Sequence, residues 1–265
     1  MNIQGKMVLV TGALSGMGAA ISMSLAEAGA TVLLLARNAE NLETVADQIN
    51  AEGLKAHVYP ADVGDMEAVK NVTDRIKEEH GTPDILVNNA GGGLWRFVEE
   101  TTPEEAVEMM RVPYFAAFNI THAFMPEFLH RNSGHIVNIS SIASRFVWPG
   151  ATAYIAARWA IRGFSEALRA DLYDTNIKVT LYESGVVESP YWDHNRASRE
   201  RVPKMGLLVP ALKPKQVGEA VRKGIEKNKR YICIPFMMRL TVWQHAVMPW
   251  LVQWLMTVTG YRRRA

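Results

Sequence analysis

Short apolar runs alternate along the chain with longer stretches in which apolar and polar residues mix. Seven such runs occur: MVLVTG from 7, ATVLLLAR from 30, AHVYPADV from 56, DILVNNAG from 84, GHIVNISS from 134, IKVTLYESG from 177 and YICIP from 231. Nearly all of their positions are apolar, which is typical of parallel strands covered by helices on both faces. The alternation predicts an α/β fold with a doubly wound, seven-stranded parallel sheet.

The stretches between these runs have the apolar spacing of helices. Helices are predicted at 16–28, 39–51, 65–79, 103–131, 151–173 and 214–228. A chain of 265 residues with 48% apolar and 21% charged residues can bury the core of one large domain. No internal repeat or linker divides it, so we expect one domain over 1–235 and an extension over 236–265.

Charge and cysteine content narrow the class of function. Lysine and arginine total 29 and aspartate and glutamate 27, a net charge of +2, which is too balanced for a nucleic-acid-binding footprint. The one cysteine, Cys233, allows no intrachain disulfide, and the first apolar run is too short for a signal peptide. No spacing of His, Cys, Asp or Glu suggests a metal site. We therefore expect a cytoplasmic protein without a metal.

The stretch TGALSGMG follows the first predicted strand and precedes the first helix. Gly12, Gly16 and Gly18 would allow a tight turn, and their missing side chains would let a pyrophosphate approach backbone amides at the positive end of the helix. Ser15 and Met17 lie within the same turn and are candidates to line that site. The spacing of the three glycines differs from the common GxGxxG fingerprint. The prediction of a pyrophosphate site therefore rests on the position of this stretch directly after the first strand.

The second predicted strand ends in Ala36 and Arg37. Dinucleotide sites usually place an acidic residue near this point to bind the adenine ribose. A guanidinium favours a 2′-phosphate instead, which predicts a preference for NADPH over NADH. The alternative is a solvated arginine at a strand end.

Tyr154 and Arg158 lie one turn apart in AYIAARWAIRGFSEAL, on one face of a predicted helix. Taken alone, the pair indicates a surface tyrosine packed against an arginine stem. Ser141 ends the fifth apolar run, thirteen residues before Tyr154.

Together these motifs carry a resemblance. TGALSGMG, Asp62 and Val63 after the third run, NNAG at 88–91, NISS at 138–141 and Tyr154 occur in the order and spacing of the short-chain dehydrogenase/reductase family. The sequence resembles that family from residue 5 to about 235. The resemblance implies a single-domain Rossmann fold, a nicotinamide cofactor, and oxidation or reduction at a carbonyl or alcohol carbon.

The resemblance also assigns cofactor contacts. It implies that Asp62 and Val63 flank the adenine, and that Asn89, Ala90 and Gly91 lie along the cofactor. Strand-end capping and packing are the alternative roles for these residues.

The proposed chemistry needs a hydrogen-bond donor and a proton source, because hydride delivered to a carbonyl carbon leaves charge on the oxygen. Ser141 can donate the hydrogen bond and Tyr154 the proton. A free phenol with a pKa near ~10 needs a nearby cation to act at neutral pH. In the family that cation is a lysine; here Arg158 stands at its position. Arginine supplies charge and donors but cannot shuttle a proton, since it does not deprotonate.

Two further departures from the family pattern affect turnover. Pro113 aligns with the catalytic asparagine; proline can keep a helix kink and a freed carbonyl but brings no amide side chain. Ser184 and Gly185 replace the usual Pro-Gly, with Val187 and Ser189 in the nicotinamide-binding segment. A catalytically impaired nicotinamide-binding sensor or partner protein is therefore the alternative function.

Aromatic residues suggest the substrate. Segments expected above the sheet carry Trp95, Phe97, Phe146, Trp148, Tyr191 and Trp192. Of these, Trp95, Trp148, Tyr191 and Trp192 are the candidates for an apolar pocket that takes a large hydrophobic ketone, aldehyde or secondary alcohol. Packing between loops and helices is their alternative role.

The extension over 236–265 contains Trp243, Trp250 and Trp254, four arginines and no acidic residue. Its apolar runs are too short to cross a bilayer. Three roles fit: a membrane-surface helix with Arg262 to Arg264 near anionic headgroups, a cover over the substrate cleft, or a subunit contact. The family resemblance further suggests a homodimer or homotetramer.

Overall fold

The computed structural model describes residues 1–263, without the side chain of His194. Seven parallel strands form one sheet in the order β3-β2-β1-β4-β5-β6-β7. They are β1 Met7–Thr11, β2 Thr31–Ala36, β3 Lys55–Pro60, β4 Ile85–Asn88, β5 His135–Ile139, β6 Lys178–Ser184 and β7 Tyr231–Ile234. The predicted single-domain, doubly wound Rossmann fold is confirmed. The strand order reverses between β1 and β4, and ligands of such sheets bind at the carboxyl ends beside that point.

Eleven α-helices surround the sheet within residues 1–263. They are α1 Gly16–Glu27, α2 Ala39–Ala51, α3 Met66–His80, α4 Pro103–Met110, α5 Ala116–His130, α6 Thr152–Asp171, α7 Tyr191–His194, α8 Arg196–Arg199, α9 Pro214–Glu226, α10 Phe236–Val247 and α11 Pro249–Val258. Short 3₁₀ turns cover Val98–Glu100, Ile142–Ser144 and Lys204–Leu208. The helices predicted from the sequence are all present, with ends that differ by a few residues.

One predicted helix is interrupted. Between α4 and α5 the backbone forms a π-helical turn over Arg111–Phe115. Pro113, at its centre, has no backbone N–H to donate to the preceding turn, so the regular α-helical hydrogen bonding cannot continue through it. The chain nevertheless stays helical from α4 to α5.

Alternating strand residues enter two apolar layers. Val8 and Val10 of β1 pack in the layer formed with α1, α2 and α9, whereas Leu9 packs in the layer formed with α3 and α5. Both faces of the sheet are therefore covered, which is why most positions of the inner strands are apolar.

A third apolar cluster lies at the carboxyl ends of the strands. Met238 of α10 and Met256 of α11 are buried there with Trp95, Tyr154 and Trp192. In the part of the chain that is described, no helix is long and apolar enough to cross a membrane. Arg264, the last arginine of the predicted basic end, lies outside the described residues.

Candidate active site

A cavity of about 480 Å³ opens at the carboxyl ends of the strands. Twenty-one residues singled out in the sequence line it: Gly12, Ser15, Gly16, Met17, Gly18, Arg37, Asn89, Ala90, Gly91, Trp95, Ser141, Phe146, Trp148, Tyr154, Arg158, Ser184, Gly185, Val187, Ser189, Tyr191 and Trp192. The fold thus brings together the glycine turn, the Ser-Tyr-Arg set and the aromatic residues, although they come from distant parts of the chain. Asp62 and Val63 are not among the lining residues.

The glycine turn joins β1 to α1 in a close backbone crossing. A Cβ atom on Gly18 would lie 2.1 Å from the carbonyl oxygen of Gly12, and Gly16 has a φ of 53°. Ser15 precedes α1 without a side-chain hydrogen bond to the first helical amides. Those amides and the positive end of the helix dipole therefore face the cavity, as an anionic diphosphate requires.

Asn89 braces this turn. Its Nδ2 donates hydrogen bonds to the carbonyl oxygens of Thr11, at 3.0 Å, and Gly12, at 3.1 Å. The backbone amides of Asn89 and Ala90 both donate to Oγ1 of Thr11, each at 3.0 Å. The end of β4 is thereby tied to the end of β1, which is a strand-end role of the kind that the sequence left open as the alternative for Asn89.

Asp62 follows β3 and lies beside a cation from the π-turn. Arg111 Nη1 donates to Asp62 Oδ2 at 3.3 Å, and the Gly64 amide donates to Oδ1 at 2.9 Å. Burial alone would raise the pKa of Asp62, but these hydrogen bonds and the charges of Arg111 and Arg37 hold that pKa below its ordinary value. Asp62 is therefore an anion that interacts with two cations: Arg111, which it shares with Glu108, and Arg37.

Tyr154 and Arg158 are both buried, each with 8% of its surface exposed. The Arg158 guanidinium carbon lies 4.8 Å from the centre of the Tyr154 ring, and Nη2 donates to the Gly92 carbonyl oxygen at 3.1 Å. Arg158 Nε is buried without a hydrogen-bond partner among the described residues. The pair lines the cavity, so it is not a surface tyrosine packed on an arginine stem.

Ser141 begins the 3₁₀ turn that follows β5. Its Oγ accepts a hydrogen bond from the Ala143 amide at 3.3 Å, and the side chain is half-buried at the cavity wall. Ser144, at the other end of the turn, donates to the Ser141 carbonyl oxygen at 2.8 Å. The hydroxyl of Ser141 is thus held in place by the local turn while remaining at the cavity surface.

A buried carboxylate fixes that turn to the sheet. Glu183 of β6 has a fully buried side chain that accepts a hydrogen bond from Arg145 Nε at 2.9 Å and contacts the hydroxyls of Ser144 and Tyr231. Burial, together with the nearby Glu183 charge, raises the pKa of Tyr231, so this phenol stays protonated and donates. Burial also raises the pKa of Cys233 on β7, which makes it an unreactive thiol.

Pro113 packs against the segment that carries Asn89 and Gly91. A Cβ atom on Gly91 would lie 3.4 Å from the Pro113 Cβ atom. The side chain at this point of the π-turn is therefore an apolar ring with no amide to offer a water or a cofactor.

Aromatic rings form the wall beside Tyr154. The Trp95 ring centre lies 5.4 Å from that of Tyr154, 5.1 Å from that of Trp148 and 5.7 Å from that of Trp192. Tyr191 donates to the Gly93 carbonyl oxygen at 2.7 Å, and burial with the neighbouring Tyr154 raises its pKa. Tyr191 therefore stays a neutral hydrogen-bond donor.

The outer aromatic residues divide between two environments. Phe146 also lines the cavity, whereas Phe97 packs against Tyr261 and lies under the guanidinium groups of Arg201 and Arg263. The sequence pattern did not distinguish these two roles.

Sequence reasoning missed several lining residues. Met238, Met256, Asn195, Val202 and Pro203 all contribute to the cavity wall. The two methionines come from α10 and α11, which are joined through Met248 and contact each other; we call this pair of helices the hairpin. A sign of this was available: the extension is rich in methionine and aromatic residues, and a cover over the cleft was one of its three predicted roles.

Comparison with known proteins agrees with this geometry. Residues 6–200 match the family described as short chain dehydrogenase. An uncharacterized oxidoreductase of Mycobacterium tuberculosis is 35% identical over 88% of this chain and 68% of its own length. A fatty acyl-CoA reductase of Acinetobacter baylyi is 33% identical over 87% of this chain and 76% of its own.

A solved structure extends the comparison. The alcohol dehydrogenase of the archaeon Thermococcus sibiricus, complexed with 5-hydroxy-NADP, is 25% identical with a TM-score of 0.76, over 87% of this chain and 95% of the other. The sheet order, the glycine turn and these matches agree, and the chain belongs to the short-chain dehydrogenase/reductase family, as an oxidoreductase that uses a nicotinamide cofactor.

Proposed function

We propose that the protein is an NADPH-preferring carbonyl reductase or alcohol dehydrogenase, which transfers hydride between nicotinamide and a hydrophobic ketone, aldehyde or secondary alcohol. The observation that carries this proposal is the buried stack of Tyr154 and Arg158 in the wall of a cavity that also contains Ser141 and the glycine turn. Burying a permanent cation costs free energy. The buried Arg158 guanidinium lies over the Tyr154 phenol, the group that would move a proton.

The residues present fit a nicotinamide dinucleotide. The site at Gly18 has no room for a Cβ atom, and the first amides of α1 lack a side-chain cap. The glycine turn would hold the diphosphate, Tyr154 and Arg158 the nicotinamide ribose, and Val187 and Ser189 the nicotinamide. When bound, the nicotinamide supplies hydride to a carbonyl carbon or accepts it from an alcohol carbon.

The protein's own groups then handle the proton and the charge. Tyr154 donates its phenolic proton to the carbonyl oxygen in the reductive direction and removes the hydroxyl proton in the other. Arg158 stabilises the phenolate that remains, and Ser141 donates a hydrogen bond to the oxygen as negative charge develops there. Because Arg158 keeps its proton, solvent must return the proton to Tyr154 by a path that does not pass through the cation.

The NADPH preference is supported by the charges at the adenosine end. Arg37 is exposed at the rim of the cavity and follows β2 directly. The nearby carboxylate, Asp62, is already paired with Arg111 at 3.3 Å. The Arg37 guanidinium at this place would attract a 2′-phosphate, and Asp62, which is held by Arg111, would repel that phosphate less than a free carboxylate would.

The substrate class follows from the aromatic wall. Trp95, Trp148 and Trp192 are each less than a tenth exposed and face the cavity beside Tyr154. Such a surface favours apolar substrate groups over charged ones. The fatty acyl-CoA reductase relative supports a substrate with a long apolar chain, bearing the carbonyl at its end near Ser141.

The test is NADPH oxidation with a panel of bulky hydrophobic ketones and aldehydes, compared with NADH and with reduction of NADP⁺ by the corresponding alcohols. We expect turnover that falls by roughly a hundredfold or more in Tyr154→Phe, which removes the proton source but keeps the ring. Tyr173→Phe is the matched control, since Tyr173 is 80% exposed and lies outside the cavity. Equal rates for wild type and Tyr154→Phe would contradict the mechanism.

The alternative function is a nicotinamide-binding sensor or partner protein. It is favoured by Pro113 and Arg158, which replace the residues that complete the proton relay of the family. A cofactor that binds but is not consumed in either direction, with any of these substrates, would favour the sensor over the reductase.

A further inference from the structure

Helices α10 and α11 turn one apolar side toward solvent. Nine large apolar side chains within 236–258 are exposed, out of twenty over residues 1–263: Phe236, Met237, Leu240, Trp243, Val247, Met248, Trp250, Trp254 and Val258. Trp250 is 70% exposed and Trp243 64%. We call these nine residues the tail face. Single exposed apolar residues are normal on a protein surface, whereas a contiguous apolar patch marks an interaction site.

The fold does not need the tail face for its own stability. The opposite side of the hairpin is already anchored, since Met238, Val252 and Met256 are buried against the aromatic cluster of the cavity. Gln253 Nε2 also donates to the Val147 carbonyl oxygen at 3.0 Å. The hairpin is therefore a fixed platform whose outer side is free to bind something else.

The charged residues within 236–263, the segment that carries the tail face, are all basic, and one of them, Arg263, is ion-paired with Glu99. Residues 236–263 include no aspartate or glutamate, and Arg239 is exposed without an ion pair among the described residues. The neighbouring turn is attached to the end of α11 by the Lys204 amide, which donates to the Thr259 carbonyl oxygen at 3.0 Å. That turn adds exposed Lys204 and Leu207 to the same edge. The surface thus combines tryptophan, aliphatic side chains and cations.

We propose that the tail face docks on the surface of an anionic lipid bilayer. Tryptophan prefers the boundary between headgroups and acyl chains, and arginine and lysine at the edge attract anionic headgroups. Neither helix is long enough to cross a membrane, so the hairpin lies in the plane of the interface.

A second copy of the chain fits this face less well. In a two-fold contact the same patch meets itself, so Arg239 of one copy would approach the basic edge of the other. No carboxylate within 236–263 is available to neutralise that repulsion. A bilayer with anionic headgroups supplies the missing negative charge.

Docking would place the cavity next to the lipid. Met238 and Met256 line the cavity from the inner side of the helices that carry the tail face, so one layer of helix, roughly 10 Å, separates the two. Bilayer binding itself does not depend on the proposed chemistry.

The experiment is flotation of the full-length protein with vesicles of phosphatidylcholine mixed with phosphatidylglycerol, beside vesicles of phosphatidylcholine alone. We expect the wild type to float with the anionic vesicles. The triple variant Trp243→Ser, Trp250→Ser, Trp254→Ser is expected to lose about tenfold or more in partitioning. The matched control changes three exposed residues elsewhere, Met66→Ser, Leu129→Ser and Tyr173→Ser, and should float like the wild type.

A second variant keeps the apolar residues. Arg239→Glu reverses one charge at an exposed position and is expected to lose about tenfold on anionic vesicles only. Circular dichroism is used to check that each variant is folded. Flotation measures vesicle binding directly and does not depend on turnover. Wild type that stays with the unbound fraction, or a triple variant that floats normally, would overturn the proposal. So would a wild-type oligomer that the triple variant dissociates, because the tail face would then be a subunit contact.

Discussion

Arg158 touches both the phenol and the chain that follows β4. Its guanidinium lies 4.8 Å from the centre of the Tyr154 ring, and Nη2 donates to the Gly92 carbonyl oxygen at 3.1 Å. A planar group can stack on the ring and still reach the carbonyl, whereas an ammonium group offers only a point charge. The family resemblance predicts that this arginine stands at the position of a lysine, but its place over the Tyr154 ring became visible only in the structure.

Two substitutions of Arg158 distinguish the effect of its positive charge on activity from the effect of its planar shape. Arg158→Met removes the cation while keeping an apolar stem, and we expect kcat/KM to fall by roughly a hundredfold or more. Arg158→Lys keeps the charge and loses the stack, so activity should remain within about tenfold of wild type. Initial rates of NADPH oxidation measure both. An Arg158→Met protein as fast as wild type would show that the cation does not assist Tyr154.

The turn between β1 and α1 works only with the smallest residue at its crossing point. An added Cβ atom at Gly18 would lie 2.1 Å from the Gly12 oxygen and 2.7 Å from Asn89 Nδ2. The turn would have to open, which moves the α1 amides and breaks the Asn89 brace. Gly18→Ala is therefore expected to raise the Kd for NADPH by roughly tenfold or more, measured by fluorescence titration.

A glycine in α6 gives the matched control for that change. Gly163 has no atom within 4 Å of its Cβ position, so Gly163→Ala meets no obstacle. It should leave the Kd for NADPH unchanged and raise the free energy of unfolding by up to about 1 kcal/mol, because alanine is the better helix former. If Gly18→Ala bound NADPH as tightly as the wild type, the expectation that a Cβ atom at this position opens the turn would be wrong.

At the scale of elements, most of the fold could be predicted because apolar runs and helical spacing report burial directly. All seven strands follow from their sequences, whereas the helix predicted over 103–131 was expected only to kink at Pro113 and has a π-helical turn there. For Asn89 the sequence offered strand-end capping only as an alternative, and the Glu183 network could not be predicted, since its groups lie far apart in the chain. For the same reason, Met238 gave no sign on its own that it would line the cavity.

The whole molecule has a second exposed apolar surface, on the outer sides of α5 and α6. Phe118 and Trp159 are 45% and 46% exposed there, and Phe118 lies 5.9 Å from Phe164, ring centre to ring centre. The family resemblance predicts a homodimer or homotetramer, and we expect this surface to be the contact. Phe118→Glu should shift the mass measured by light scattering toward the monomer, because contact would bury an unpaired charge.

Another exposed apolar residue provides the control for oligomerisation. Val98 is 68% exposed in the 3₁₀ turn before α4, so Val98→Glu should leave the mass unchanged. A wild type that is already monomeric would contradict the predicted contact. Since the tail face lies on other helices, this result is independent of vesicle binding.

His135 links the stability of the whole molecule to pH. The residue is fully buried in β5, with Nε2 at 2.8 Å from Thr180 Oγ1. The Thr180 hydroxyl donates to the Lys229 carbonyl oxygen at 2.5 Å, so it must accept from His135 Nε2–H. His135 Nδ1 has no partner among the described residues. The folded protein therefore holds a neutral imidazole, and protonation at Nδ1 would create a buried, unpaired charge.

Burial, with the positive charges of the N-terminus and Lys178, lowers the pKa of His135 to about 4. In the unfolded chain the pKa returns to about 6.5, so the stabilising contribution is complete above that pH and is lost as pH falls toward 4. Between about pH 7.5 and about pH 5 the free energy of unfolding should drop by roughly 2 kcal/mol from this group alone. Urea unfolding at the two pH values measures the drop. The His135→Gln variant has no imidazole to protonate and should show a correspondingly smaller drop. The control, His130→Gln, changes a histidine at the exposed end of α5 and should behave like the wild type. Equal drops in all three proteins would show that His135 is protonated without cost in the folded state.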